Sequence, residues 1–126
     1  MHDRYTPEMM TKRTKTLALR ILKVAESLPR SVTGKTLAHQ IARCGTSVAA
    51  NYRAAIRARS KGEFIAKLSI VHEEADETLF WLEMIVEADL ISLPKLQDLI
   101  DETNQIVAIT VASLKTAKKN PTPQQL

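Results

Sequence analysis

A chain of 126 residues, 44% of them apolar and 25% charged, has the size and composition of one soluble globular domain. The single cysteine, Cys44, excludes an intrachain disulfide and a paired-cysteine metal site; as a small apolar residue it suits a core position in a reducing, cytoplasmic setting. The net charge of +4 conceals an asymmetry, because residues 1–61 carry 13 Lys and Arg against 3 Asp and Glu, whereas residues 62–126 carry 5 against 11.

Residues 1–5 lack the apolar stretch of a signal peptide, and the longest uncharged run, residues 103–114, is too short to span a bilayer. Four segments then follow with a helical period and no internal repeat. The first is predicted over about residues 11–28, with Leu17, Ile21, Val24, Ala25 and Leu28 on one face and Pro29 as the stop. The second, about 34–59, carries Leu37, Ile41, Cys44, Val48, Tyr52 and Ala55 every three to four residues. Ser60 is positioned as an N-cap, with Glu63 placed to reciprocate in a capping box.

The third segment, about 61–88, aligns Phe64, Leu68, Val71, Ala75, Leu79, Leu82 and Val86. Asp89 to Ser92 forms a turn with Ser92 as cap, and Pro94 falls in the first turn of the fourth segment, about 93–118. Residues 106–111 are rich in β-branched side chains, yet they continue the helical period of Leu96, Leu99, Ile100 and Thr103, and a lone strand would have no partner. Residues 119–126 read as a frayed tail. The predicted fold is all-α: one antiparallel, up-down-up-down four-helix bundle.

Two faces exceed what a monomeric bundle needs. Ile70, Phe80, Trp81 and Met84 lie away from the main stripe of the third helix, and the fourth is apolar nearly all round between Ile106 and Leu114. One reading is that they cover the rim of the core. The other is a homo-oligomer, in which the charge asymmetry suggests head-to-tail contacts that close a ring.

No catalytic constellation emerges. His2, His39 and His72 are not spaced with Cys44 or a serine as a triad would be, and the three glycines form no phosphate loop. The acidic run at residues 73–77 with His72 falls short of a di-iron site, since the second helix has no carboxylate and no Glu-x-x-His occurs. His72 and Asp76 could make at most a weak surface metal site, so no metal, cofactor or small-molecule substrate is expected. The basic face of the second helix is the better candidate: Arg43, Arg53 and Arg57 oppose the apolar stripe, and Arg59 and Lys61 extend the charge into the loop. Such a face can meet the phosphates of RNA or DNA, or it can pair with Glu73, Glu74 or Glu77 of a neighbour. Asn51, with Ser47 one turn earlier, falls within the apolar stripe and suits a structural polar role.

The stretch Gln40-Ile41-Ala42-Arg43-Cys44-Gly45-Thr46-Ser47-Val48-Ala49-Ala50-Asn51-Tyr52-Arg53-Ala54-Ala55, with the run from Arg59 to Leu68, resembles the bacterial four helix bundle protein family. This is the group of the protein encoded by intervening sequences in 23S ribosomal RNA genes. The run from Glu73 to Glu83 is similar to one of its branches, and the likeness covers about Leu17 to Leu114. The resemblance implies an antiparallel bundle assembled as a homopentamer. It also implies a distant relationship to the accessory variability determinant of diversity-generating retroelements, a basic pentamer that works with a reverse transcriptase and RNA. Where much of the family reads Ala-Glu-Gly after the asparagine, this chain has Arg53-Ala54-Ala55, so no role of that glutamate carries over. The expected function is therefore a non-enzymatic oligomeric scaffold that binds structured RNA or DNA; the alternative is a protein-interaction module whose arginines serve the subunit interface.

Overall fold

The structure is a computed structural model and describes residues 5–119. Four helices follow one another: α1 (Pro7–Ser27), α2 (Val32–Ile56), α3 (Lys61–Glu87) and α4 (Leu93–Lys119). No strand occurs among the described residues, and residues 106–111 are helical. The tail read at residues 119–126 falls outside the described residues from residue 120 onward, while Lys119 closes α4.

Each start has a local cause. α1 begins earlier than the apolar period suggested because Thr6 is an N-cap whose Oγ1 accepts from Met9 N at 3.1 Å, with Pro7 at the first position and Glu8 in the first turn. Ser31 caps α2 through Gly34 N at 3.0 Å. Ser60 caps α3 through Glu63 N at 3.0 Å, but the Glu63 carboxylate reaches Arg59 N at 3.1 Å, one residue short of the capping-box partner. Ser92 closes the first turn of α4 with its own carbonyl, which accepts from Lys95 N at 3.1 Å.

The α3–α4 turn is a Schellman closure. Leu90 N donates to Ile85 O at 3.1 Å and Asp89 N to Val86 O at 3.0 Å, which puts Asp89 in the left-handed region at φ 59°.

The helices pack in chain order, α2 between α1 and α3, and α4 on α3; α1 and α4 scarcely touch. The start of α1 (Thr11, Lys15) lies beside the end of α2 (Arg53, Arg57), and its end (Leu22, Ala25) beside Ala38 and Ala42. Phe64 near the start of α3 lies beside Ala112 and Thr116 near the end of α4, consistent with the up-down-up-down order of an all-α bundle. All six positions of the α2 stripe are buried. The core also takes Met10, Thr78, Ile85, Ile109 and Leu114, which the first periodic reading left out. Burying each Leu- or Ile-sized side chain contributes about 1.5–3 kcal/mol before conformational entropy is counted. Four buried threonines satisfy their hydroxyls within their own helices: Thr14 donates to Met10 O, Thr78 to Glu74 O, Thr103 to Leu99 O and Thr110 to Val107 O, all at 2.7–2.9 Å.

Candidate nucleic-acid interface

On α2 the three arginines read as one basic face meet different surroundings. Arg43 turns toward α3, where Nη1 lies 3.3 and 3.4 Å from the two oxygens of Glu74 and Nη2 contacts Glu77. Glu77 Oε2 also accepts the Trp81 indole N–H at 3.0 Å, so one carboxylate joins α2 to the aromatic pair of α3. The pairing that sequence allowed with a neighbour's acidic run is thus made within the chain. Loss of water around the Arg43 guanidinium acts to lower its pKa, and the charges of Glu77 and Glu74 outweigh that and raise it.

Arg53 and Arg57 turn the other way, toward α1. They line a groove of about 530 Å³ together with Thr11 and Lys15 of α1 and Thr46 and Ala50 of α2. No carboxylate lines this groove, and Lys15, Arg53 and Arg57 form no ion pair among the described residues. Arg59 and Lys61 continue the positive charge across the α2–α3 loop, with Glu63 held against the Arg59 backbone. Lys15 and Thr11 were missed by the sequence reading. The signal was available, because a short α1–α2 link folds the start of α1 onto the end of α2.

The groove has a buried wall in Tyr52, whose phenol is pushed up to about 12, chiefly by burial and further by the charge of Glu8. Deeper in the bundle, burial also raises the Cys44 thiol, partly offset by the Thr78 hydroxyl 3.2 Å from its sulfur. A raised thiol pKa at a buried position marks a structural cysteine rather than a nucleophile.

Asn51 is half-buried at the edge of the α2 stripe, and its Nδ2 donates to Ser47 O at 3.0 Å and Ser47 Oγ at 2.8 Å. On α3, Phe80 and Met84 are 48% and 36% exposed, whereas Ile70 and Trp81 are part-buried and Trp81 packs on the core. Phe80 meets Trp81 edge-on, with ring centroids 4.9 Å apart. The apolar fourth helix exposes only small side chains in its middle, Ala108 and Ala112. The acidic run divides, Glu74 and Glu77 toward Arg43 and Glu73 and Asp76 into solvent. Among the described residues no three His, Cys, Asp or Glu side chains converge on a metal position, and His72 Nδ1 is buried without a hydrogen-bond partner. No described helix is long and apolar enough to cross a membrane.

Fold and surface together define a four-helix bundle with one neutralised and one uncompensated basic side. The chain belongs to the 23S rRNA-intervening sequence protein family, whose model matches residues 9–112. It is similar to a protein of unknown function of the S23 ribosomal protein family from Bacteroides thetaiotaomicron, known from a crystal structure. The two share 28% sequence identity with a TM-score of 0.80, over 86% of this chain and 97% of that one. No match was found among curated proteins.

Proposed function

We propose that the chain is a non-catalytic helical scaffold of the cytoplasm that binds the phosphate backbone of structured RNA or DNA. Arg53, Arg57, Arg59 and Lys61 supply the contact, and copies of the chain assemble through the outer face of α3. The observation that carries the reading is the contrast between cations. Arg13 and Arg43 are each held by carboxylates of their own chain, while Arg53 and Arg57 stand together without one among the described residues. Like charges gathered without compensation destabilise a fold slightly and raise the local concentration of anions. Arginine forks match phosphate oxygens in pairs. Exposure of Phe80 and Met84 supports self-assembly, and the pentamer is the order that the resemblance to the family suggests.

A second reading also has an observation behind it. Glu73, Asp76, Glu83 and Glu87 are exposed on α3 around Phe80 and Met84, so the arginines of one copy could face the acidic α3 of the next. Binding of an RNA hairpin and of duplex DNA across a salt series, with the mass in solution measured on the same samples, separates the two. Affinity that falls steeply with salt and is lost in Arg53→Ala/Arg57→Ala, at unchanged mass, supports the first. A fall in mass without any nucleic-acid binding supports the second.

A further inference from the structure

We infer that the α1–α2 groove is a phosphate seat in which Lys15 of α1 completes a three-cation rim with Arg53 and Arg57; this rests on the nucleic-acid reading above. Two antiparallel helices bring the three cations to one concavity, although 38 residues separate Lys15 from Arg53 in the chain. The groove narrows because α1 and α2 approach closely lower down, where a Cβ on Gly45 would lie 2.6 Å from Ile21 Cγ2. Ala49, Ala50 and Ile56 share its lining with the threonines Thr11, Thr14 and Thr46.

A hydroxyl donor is also at hand. Thr46 Oγ1 is engaged with Ala42 O at 2.7 Å, but Thr11 makes no side-chain hydrogen bond among the described residues and can donate to a phosphate oxygen. The occupant is therefore a compact tetrahedral anion with several acceptor oxygens. A single phosphate protruding from a nucleic-acid backbone fits this description; a flat base does not, since Tyr52, the aromatic residue lining the groove, is buried in its wall. A second groove, about 600 Å³ between the start of α3 and the end of α4, is lined by no charged side chain and offers no comparable seat.

The test uses inorganic phosphate and an RNA hairpin as separate probes, reading backbone amide shifts and, for the hairpin, affinity against salt. Wild type, Lys15→Gln and Lys35→Gln are compared. Lys35 is exposed in the first turn of α2, about 27 Å along the helix from Arg53. Phosphate is expected to shift amides at residues 11–15 and 50–57. Lys15→Gln should weaken the hairpin about 3- to 10-fold and reduce the salt slope by about one, with Lys35→Gln unchanged. If the hairpin binds wild type and Lys15→Gln equally, with shifts gathered at residues 59–61, the seat is refuted while the basic face stands. If the hairpin does not bind but inorganic phosphate still shifts the groove amides, and Lys15→Gln abolishes those shifts, the seat stands for free phosphate and the nucleic-acid reading falls. Silence from both probes refutes both.

Discussion

The two sides of α2 hold their neighbours by different means. Toward α1 the helix offers Ala38, Ala42, Gly45 and Ala49, and the two helices come close enough that a Cβ on Gly45 would sit 2.6 Å from Ile21 Cγ2. Toward α3 it offers Cys44, 3.2 Å from Thr78, and Arg43, and a polar chain linking Arg43, Glu74, Glu77 and Trp81 is added to the shared apolar core. The α1 side brings no carboxylate into the lining of its groove, so the cations there form no ion pair among the described residues. Polar packing on the α3 side consumes the one arginine that lies there. A basic helix face is thus a property of a sequence, whereas a free basic surface depends on what the next helix brings to it.

The largest expected effect breaks the link that leads from α1 into α2. Gly34→Ala should cost about 3 kcal/mol or more in denaturant unfolding, because the obstacle is the Pro29 carbonyl and a backbone cannot rotate away. Gly45→Ala meets the branched Ile21 side chain instead and should cost about 2 kcal/mol, net of the gain in helix propensity. Equal stability of Gly45→Ala with wild type would mean that α1 and α2 do not approach so closely, and of Gly34→Ala that the link does not close on α2.

Alkaline pH probes the same side through Tyr52. Its folded pKa of about 12 lies above the ordinary value of 10, so the native state holds a proton that the unfolded chain releases first. The stabilisation is complete below pH 10 and is lost as pH rises toward 12; two pKa units correspond to about 2–3 kcal/mol. Unfolding free energies of wild type minus Tyr52→Phe, measured at pH 8, 10 and 11, should fall with pH. A flat difference would show that the phenol is solvated.

A smaller effect separates paired from unpaired cations on α1 itself. Arg13 grips Glu102 of α4 with Nε at 2.9 Å and Nη2 at 2.7 Å, adds Gln105 at 3.0 Å, and thereby ties two helices that otherwise scarcely meet. That hydrogen bonding raises the Arg13 pKa. Glu102→Gln should destabilise by about 1 kcal/mol, whereas Lys15→Gln should leave thermal unfolding unchanged. Loss of stability in Lys15→Gln would expose a partner for that lysine.

The fold was legible because every helix carried its period and its punctuation: the stripe from Leu37 to Ala55 is wholly buried, and Ser60 caps α3 as its position before Glu63 indicated. The missed start of α1 was written in Thr6-Pro7-Glu8, a capping signal without an apolar period to draw attention to it. Thr78 was missed because a threonine interrupts an apolar count, although its hydroxyl turns back to Glu74 O and leaves its methyl for the core. The candidate surface was legible only in part. Helical periodicity put Arg43, Arg53 and Arg57 on one outer face, but which edge of that face meets α1 and which meets α3 depends on how the helices rotate about their axes. Such rotation is set by core packing across four chains of side chains, and no single helix records it.

The smallest effect is also the most direct reading of that rotation. Arg43→Ala removes a cation held by two carboxylates, at a site where half the side chain is exposed, and should cost about 0.5–1 kcal/mol in low salt. Raising the ionic strength to about 0.5 M should shrink the loss, because screening weakens an exposed pair. Arg53→Ala should stay within about 0.5 kcal/mol of wild type, since it has no partner to lose and relieves repulsion from Arg57 and Lys15. The sign of the salt effect is the sharper observable. Added salt should bring Arg43→Ala closer to wild type, and it should slightly favour wild type over Arg53→Ala by screening a repulsion that the variant no longer has. Equal losses with equal salt dependence would mean that both arginines are paired in solution, and the uncompensated side of α2 would cease to exist.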